Sequence, residues 1–253
     1  MTDSCDDCRG SSSRRSFLAT LGASSFAVAL AGLPTRAAAA QPPQAVTVAK
    51  GLTINPRSTW GTALPPKSGL KAEVSVKFLL VHHTAASNTY RSSRVAQEIQ
   101  SIYHFHTGTK KWPDVCYNFF VDRFGGVWEG RAGSLAGPVQ ADATGGSQGF
   151  AQLVCLLGNF ETTTPPTVMV ESCAKVLGWL ATKYNIDLDQ AKTVNFVSRG
   201  SNKWKLGAEV KARPISGHRD MSATLCPGKY LYPKLDTEIP ALAQAYKLQF
   251  MKP

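Results

Sequence analysis

Three side chains in this sequence have the chemistry to hold a catalytic zinc ion together: His82, His218 and Cys226. Zinc binds imidazole nitrogen and thiolate sulfur, and a catalytic site uses three protein ligands and leaves a fourth position open. The three residues are too far apart for a motif carried on one helix, such as H-E-x-x-H. Because separated His and Cys residues are more often core or surface residues than ligands, the set needs support from its surroundings.

The segment before the first candidate ligand predicts a buried strand. Residues 74–81 are β-rich and become continuously apolar, which is typical of a central strand covered on both faces, and they end in His82 and His83. Side chains alternate between the two faces of a strand, so only one of these histidines can point at a metal. The pattern alone leaves open which one does.

The segments that follow alternate between helical and strand patterns. Apolar side chains at Val95, Ile99, Ile102 and Tyr103 give one helical stripe. Residues 115–121 and 126–129 predict a hairpin with Tyr117 on its first strand, and residues 130–149 predict a long loop. Strand character returns at 152–157, residues 167–184 have helical spacing, and residues 187–213 predict a solvated basic loop.

The first forty residues predict a twin-arginine signal peptide. Arg14 and Arg15 precede Ser16-Phe17-Leu18, a mildly apolar run over residues 19–33 and an Ala-rich end before Gln41. The run is too short for a membrane-spanning anchor, which needs about 20 apolar residues. We therefore divide the chain into a signal peptide (1–40), an N-terminal arm (41–56), one domain (57–240) and a C-terminal tail (241–253).

The chain is strongly basic, with 28 Lys and Arg against 17 Asp and Glu and a formal net charge of +11. Residues 1–40 hold four basic and three acidic side chains, so the remainder carries +10. Such a charge favours polyanions, among them nucleic acid, anionic lipid and bacterial wall polymers. Export argues against nucleic acid as the partner.

The cysteines do not predict a disulfide scaffold. Of six, Cys5 and Cys8 fall in the signal peptide, and the other four are too few and too scattered for a disulfide framework. Cys155 and Cys173 are expected to be buried free thiols rather than a strand-to-helix disulfide.

Five ordered motifs, with a sixth segment that opens the domain, resemble the peptidoglycan recognition proteins and their phage-lysozyme-like relatives, the type 2 N-acetylmuramoyl-L-alanine amidases. The resemblance covers about residues 57–235. The segments are Arg-Ser-Thr-Trp-Gly at 57–61, Val-His-His-Thr-Ala at 81–85, Trp-Pro-Asp-Val-Cys-Tyr-Asn-Phe at 112–119, Gly-Gly-Val-Trp-Glu-Gly-Arg at 125–131, Gly-Asn-Phe at 158–160, and Gly-His-Arg-Asp at 217–220 with Thr-Leu-Cys-Pro-Gly at 224–228.

The resemblance implies roles for particular residues. His82, His218 and Cys226 would bind one Zn²⁺, with His83 a neighbour behind the site. Tyr117 corresponds to the family tyrosine that faces the metal-bound water, where its phenol would hydrogen-bond the developing oxyanion or orient the nucleophile. Thr224 corresponds to a position that would hydrogen-bond the substrate carbonyl or the intermediate.

Other polar residues near the motifs have structural interpretations. Glu129 and Arg131 are expected either as a salt-bridged pair or as substrate contacts. His104 and His106 are expected at a helix end or exposed, rather than as further ligands.

The patterns and the resemblance together predict an α/β fold, a mixed central β-sheet flanked by helices in a single domain, with zinc in a surface groove. The predicted activity is hydrolysis of the N-acetylmuramoyl-L-alanine amide bond of peptidoglycan or its muropeptide fragments. The alternative is a non-catalytic recognition module, which commonly lacks the third ligand that Cys226 supplies here. We expect a monomer, exported to the periplasm or to the extracellular space and cell wall, without nucleic-acid binding or stable membrane insertion.

Overall fold

The computed structural model describes residues 44–144 and 149–252 of the 253-residue chain. The predicted signal peptide lies outside the described residues, as do residues 41–43 of the predicted arm and residues 145–148 of the predicted loop. Within the described ranges, no helix combines the length and the apolar character needed to cross a membrane.

The described part of the chain contains nine strands and five α-helices. The strands are β1 Val46–Ala49, β2 Leu52–Ile54, β3 Phe78–His83, β4 Phe119–Val121, β5 Val127–Glu129, β6 Ala151–Leu156, β7 Val194–Val197, β8 Glu209–Ala212 and β9 Ile215–Gly217. The helices are α1 Ser58–Gly61, α2 Val95–His104, α3 Thr167–Lys183, α4 His218–Met221 and α5 Glu238–Phe250. Single turns of 3-10 helix lie at Ser92–Arg94 and Tyr232–Leu235, and a π-helical turn follows α2 at Phe105–Thr109.

Five strands form the central sheet in the order β5-β4-β6-β3-β9. Strand β3 runs parallel to β6 and β9, β4 runs parallel to β6, and β5 is antiparallel to β4. Every residue of β3 and β6 is buried, as expected for continuously apolar strands covered on both faces. Helix α3 packs against β3, β4 and β6, and the predicted α2 stripe is buried. The predicted α/β fold with a mixed sheet flanked by helices is confirmed.

The sheet begins later along the chain than the sequence pattern predicts. Strand β3 starts at Phe78 rather than at residue 74, and Val74 is 98% exposed. The hairpin strand β4 starts at Phe119, so Tyr117 lies in the loop before it and not on the strand. The reason lies in Asn118, whose side-chain amide binds the carbonyl of Val139 and the N–H of Leu153 where strand pairing would otherwise begin.

Both predicted terminal segments are built into regular structure. Residues 46–54 of the arm form the β1–β2 hairpin, which buries Leu52 and Ile54 and joins β5 through reciprocal backbone hydrogen bonds of Asn55. The predicted tail, residues 241–253, belongs mostly to α5, so the boundary at 240 falls inside a helix. Helix α5 packs on α3 at Gly178, where a Cβ atom would lie 2.7 Å from the Ala243 carbonyl oxygen. Tertiary contact with α3 therefore stabilises a segment whose own pattern is weak.

The predicted basic loop at 187–213 contains a hairpin of β7 and β8. Its Phe196 is 4% exposed, and its ring stacks on Phe78 at 5.6 Å between centroids. This buried aromatic ring holds the hairpin against the central sheet, although the composition of the segment predicts a solvated loop. Cys155 and Cys173 are buried and free, as expected.

Candidate metal centre

Two adjacent parallel strands bring His82 and His218 together. Strands β3 and β9 pair with Val81 opposite Gly217, so the next residues along each chain, His82 and His218, lie side by side at the carboxyl end of the sheet. Their ring centroids are 4.4 Å apart. The carboxyl ends of parallel strands are where open α/β sheets commonly place their ligands.

A loop after α4 brings the third candidate ligand to the same point. The Sγ atom of Cys226 lies 3.7 Å from His82 Nδ1. One ligand atom from each of His82, His218 and Cys226 lies within 4.8 Å of the others. His82 and Cys226 are fully buried, and His218 is 4% exposed. The three residues proposed from the sequence therefore converge.

His83 is not part of this cluster. Its Nδ1 accepts the backbone N–H of Phe160 at 3.1 Å, and its ring faces the Phe160 ring. Its own backbone N–H donates to Cys226 Sγ at 3.4 Å. His83 thus supports the cluster from behind, as alternation along a strand requires when His82 faces inward.

The buried ring nitrogens in the cluster fit a metal ion. Among the described residues, His82 Nε2 and both ring nitrogens of His218 have no hydrogen-bond partner. Buried polar atoms without partners are costly, and a cation that accepts their lone pairs would remove that cost. With Cys226 as thiolate, the set matches the two-imidazole, one-thiolate arrangement of catalytic zinc sites.

Burial also keeps these histidines in the form that binds metals. It lowers the pKa of His218 to about 4. It lowers the pKa of His82 well below its usual value, with smaller contributions from the neighbouring His218 and His83. The imidazoles are therefore neutral at neutral pH, with lone pairs available for coordination.

Tyr117 lies beside the cluster, although it is not on a strand. Its ring centroid is 5.1 Å from that of His82, and the side chain is 1% exposed. The ring also packs against Phe120 and against His106, at 5.5 Å and 5.7 Å between centroids. These contacts fix the ring beside the face of the cluster that His82 presents.

Thr224 has a hydrogen bond within the ligand loop. Its half-buried side-chain oxygen accepts the backbone N–H of Cys226 at 3.2 Å. This bond helps to shape the turn that carries Cys226. It uses an acceptor site on the oxygen and leaves the hydroxyl proton for another partner.

The helix-end histidines differ from each other. His104 is exposed at the end of α2, as expected. His106 is fully buried in the π-helical turn, where its Nδ1 accepts the backbone N–H of Cys116 at 3.2 Å. Of the two expected alternatives, His106 therefore has the helix-end position and is buried, because the turn directs its ring inward against Tyr117.

The expected ion pair between Glu129 and Arg131 is also wrong. An NH1 atom of Arg131 lies 2.5 Å from the carboxylate of Asp142. The Glu129 carboxylate instead accepts the backbone N–H groups of Arg57 and Leu135, both at 3.0 Å. The two side chains thus stabilise different neighbouring segments through separate contacts.

Sequence reasoning missed two residues that hold the ligand loop. Arg219 donates its backbone N–H to the Cys226 carbonyl at 2.9 Å, and its guanidinium hydrogen-bonds the Leu225 carbonyl. Asp220 accepts the Gly217 N–H at 2.8 Å and the Tyr232 hydroxyl at 2.5 Å. Asp220 has a recognisable sequence signal, because it is an acidic residue three positions after Gly217, the residue that precedes the short helix α4.

The three buried histidines predict how the stability of chelator-treated, metal-free protein depends on pH. The pKa of His83 is lowered to about 3, mainly by burial, and those of His82 and His218 are lowered as described. Below pH 6.5 the unfolded chain binds protons that the folded protein does not. We expect the free energy of unfolding to fall as pH drops from about 6.5 toward 5, by up to about 1.4 kcal/mol per pH unit for each histidine.

Urea unfolding across this pH range measures the effect. His83→Gln is the control, because the amide oxygen can still accept the Phe160 N–H while one titrating group is removed, and it should reduce the slope by up to one proton. A flat stability profile between pH 7 and 5 would contradict the expectation.

Comparisons with known proteins agree on one family. The family profile described as N-acetylmuramoyl-L-alanine amidase matches residues 72–229. Peptidoglycan recognition protein 1 of Mus musculus is 28% identical over 180 residues, which covers 71% of this chain and 84% of the mouse protein.

Two solved structures share the fold. A mutant of Drosophila PGRP-LB in complex with tracheal cytotoxin aligns with a TM-score of 0.55 and 21% identity, covering 72% of this chain and 92% of its own. The N-acetylmuramoyl-L-alanine amidase LysC from Clostridium intestinale aligns with a TM-score of 0.50 and 20% identity, covering 70% and 90%. At these sequence identities, the structural similarity shows a shared fold only.

Proposed function

Because the chain belongs to the peptidoglycan recognition protein and type 2 N-acetylmuramoyl-L-alanine amidase family, we propose that it is a zinc-dependent amidase that hydrolyses the N-acetylmuramoyl-L-alanine bond of peptidoglycan. The family contains both catalytic amidases and non-catalytic recognition proteins, so membership alone leaves both activities open. The convergence of His82, His218 and Cys226 carries the proposal. A binding-only module has no need for His82 Nε2 and both ring nitrogens of His218 to lie buried without hydrogen-bond partners beside a thiol.

In this proposal, His82, His218 and Cys226 hold one zinc ion. When bound, zinc supplies Lewis acidity toward the scissile carbonyl and activates a water molecule as nucleophile. The two imidazoles coordinate in their neutral form, which burial favours. Cys226 coordinates as thiolate, and the backbone N–H of His83 offers that negative charge a hydrogen bond.

Tyr117 is proposed to stabilise the negative charge that develops on the scissile carbonyl oxygen. Its ring is held beside His82 by packing on two sides, so the phenol needs little reorganisation during the reaction. A preorganised donor directed at developing charge is among the largest catalytic contributions that a side chain makes.

Thr224 is proposed to orient the substrate carbonyl. Its oxygen already accepts the Cys226 N–H, so its hydroxyl proton is available to the substrate at the edge of the ligand loop. The same loop therefore supplies a metal ligand and a hydrogen-bond donor two residues apart.

Digestion of purified sacculi tests the proposal. We expect the zinc-loaded protein to release stem peptides with a free N-terminal L-alanine, identified by mass spectrometry, and to contain about one zinc ion per chain. Retention on sacculi without peptide release, at full zinc occupancy, would identify a recognition module instead.

We further propose that residues 1–40 direct export through the twin-arginine pathway to the periplasm or cell wall. The pathway recognises the arginine pair as an address and does not count charge. Replacing Arg14 and Arg15 with lysines, which keeps the charge, should therefore abolish export. Immunoblots of fractionated cells measure this outcome, and normal export of the double variant would contradict the assignment.

A further inference from the structure

The β7–β8 hairpin runs beside the edge of the central sheet with its turn toward the metal centre. Near its base, Phe196 stacks on Phe78 at the start of β3, and the Lys77 ammonium donates to the Asn195 carbonyl at 3.1 Å. After the hairpin, the chain enters the edge strand β9. The hairpin turn, residues 198–208, lies beside the segment that follows His218 at the carboxyl end of the sheet, because it hydrogen-bonds residues 219–223.

The hairpin turn is fastened to the segment between two candidate ligands. Five hydrogen bonds join it to residues 219–223, which lie between His218 and Cys226. They run from Lys203 Nζ to Arg219 O (2.6 Å), Trp204 Nε1 to Asp220 O (2.9 Å), Ser201 Oγ to Met221 O (2.9 Å), Asn202 Nδ2 to Ala223 O (3.2 Å) and Ala223 N to Asn202 Oδ1 (2.8 Å).

The hairpin turn is also ordered by bonds within itself. Ser198 exchanges backbone hydrogen bonds with Gly207 and Ala208, both at 2.8 Å. The Ser201 hydroxyl accepts the backbone N–H groups of Lys203 and Trp204. The backbone of the turn is therefore ordered before a partner binds, which reduces the backbone entropy lost on binding.

Three of the exposed side chains of the hairpin turn are cationic, beside the exposed Asn202 and Leu206. Residues 190–208 contain no Asp or Glu, whereas Arg199, Lys203 and Lys205 fall within seven residues and are exposed. Among the described residues, no carboxylate pairs with Lys203 or Lys205. The nearby Asp220 carboxylate is engaged by the Gly217 N–H and the Tyr232 hydroxyl. The positive charge is therefore available to a partner.

We propose that the hairpin turn is a docking surface for a phosphodiester polymer attached to the bacterial wall. Lys203 and Lys205 have no carboxylate partner among the described residues, and the Lys203 ammonium keeps its charge while it donates one hydrogen bond to the Arg219 carbonyl. Lysine ammonium groups are compact point charges, which suit repeated phosphates of variable orientation better than one fixed carboxylate. The Trp204 indole N–H is engaged by Asp220 and its ring is half-buried, so the turn offers no exposed aromatic platform for nucleic-acid bases. This inference rests on the proposed function only in assuming that the protein acts at the bacterial wall.

Docking there would hold the metal centre against the wall. Because the hairpin turn is bonded to the segment between His218 and Cys226, a polymer on the turn lies next to the loop that carries two of the candidate ligands. The expected consequence is capture of the enzyme near its substrate, through attraction that salt screens.

The test measures binding to soluble poly(glycerol phosphate) over a salt series. The double variant Lys203→Gln/Lys205→Gln should lower affinity by roughly 10-fold to 30-fold and reduce the slope of log K against log salt by about 1 to 2. Lys205→Glu is the second variant, since the Lys205 side chain is exposed and its replacement removes none of the five hydrogen bonds that join the turn to residues 219–223. The matched control, Lys50→Gln/Lys252→Gln, removes two exposed lysines that line a separate cleft near the chain termini.

Equal losses in the control would assign binding to net charge and overturn the proposal, as would hairpin-turn variants that bind like wild type. Sacculi stripped of phosphodiester polymer should retain less wild-type protein than untreated sacculi, and unchanged retention would exclude this occupant. Hydrolysis of a soluble monomeric muropeptide by the wild-type protein is measured in parallel. If the wild-type protein does not hydrolyse this muropeptide, the proposed function is wrong, and the result of the polymer-binding experiment is unaffected.

Discussion

Cys226→Ser is expected to remove both the zinc ion and the amidase activity. Serine is neutral and a poor replacement for thiolate, and Cys226 Sγ sits 3.7 Å from His82 Nδ1 at the centre of the cluster. A catalytic metal contributes several kcal/mol of transition-state stabilisation, and about 1.4 kcal/mol corresponds to a factor of ten in rate. We therefore expect peptide release from sacculi to fall by at least roughly 10³, with substoichiometric zinc by elemental analysis.

Muropeptide binding should survive this substitution, because recognition of a fragment uses contacts along the substrate as well as those at the metal. The matched control is Cys173→Ala on α3, a buried thiol whose pKa burial raises to about 12. That thiol is protonated at neutral pH and takes no part in the cluster, so the control should keep zinc and activity. If Cys226→Ser released peptides as fast as wild type, the catalytic assignment would be wrong.

Tyr117→Phe is expected to slow the reaction without removing the metal. Phenylalanine keeps the ring that packs against His82, His106 and Phe120, and loses only the hydroxyl. Loss of one donor to a developing oxyanion costs about 10² to 10³ in kcat. Steady-state kinetics on a soluble muropeptide should show this loss in kcat with little change in KM, and zinc content should stay at wild-type level.

Tyr90→Phe is the matched control for a buried phenol outside the site. The Tyr90 hydroxyl donates to the Leu157 carbonyl at 3.1 Å and accepts the Arg123 N–H at 2.8 Å. Its removal should lower the free energy of unfolding by about 1 to 3 kcal/mol and leave kcat unchanged. A wild-type kcat in Tyr117→Phe would remove the phenol from the mechanism while leaving the metal assignment intact.

The two substitutions separate the two proposed contributions to catalysis. Cys226→Ser acts on metal content and therefore on every step that depends on it. Tyr117→Phe acts on charge stabilisation at constant metal content. Measuring zinc and kcat for both variants identifies which contribution, if either, is misassigned.

Local periodicity predicted the main elements of the fold well. The continuously apolar run before His82 became β3, and the stripe at Val95, Ile99, Ile102 and Tyr103 became the buried face of α2. The helix predicted over residues 167–184 is α3, Thr167–Lys183. These patterns succeed because burial of a strand or of one helix face constrains residue types at fixed short spacing.

Local patterns failed where distant contacts decide the structure. The predicted tail forms α5 because α3 offers Gly178 as a place of close approach, about 65 residues earlier in the chain. The predicted basic loop contains a hairpin because the Phe196 ring packs against Phe78 and Phe150. Tyr117 leaves the strand because the Asn118 side chain donates to the Val139 carbonyl and accepts the Leu153 N–H. No short window of sequence contains both partners of these contacts.

The sequence by itself determined the chemical inventory: two imidazoles and a thiol in ordered motifs, a basic surface, and strands and helices that predict an α/β fold. The residue pattern left His82 and His83 open, the family resemblance implied His82, and the tertiary structure places His82 beside His218 and Cys226. Only the tertiary structure decided that His106 lies buried behind Tyr117 and that the hairpin turn borders the ligand loop. The physical reason is separation along the chain. His82 and Cys226 are 144 residues apart, and their approach depends on the pairing of β3 with β9 and on the turn held by Arg219, which sequence spacing does not encode.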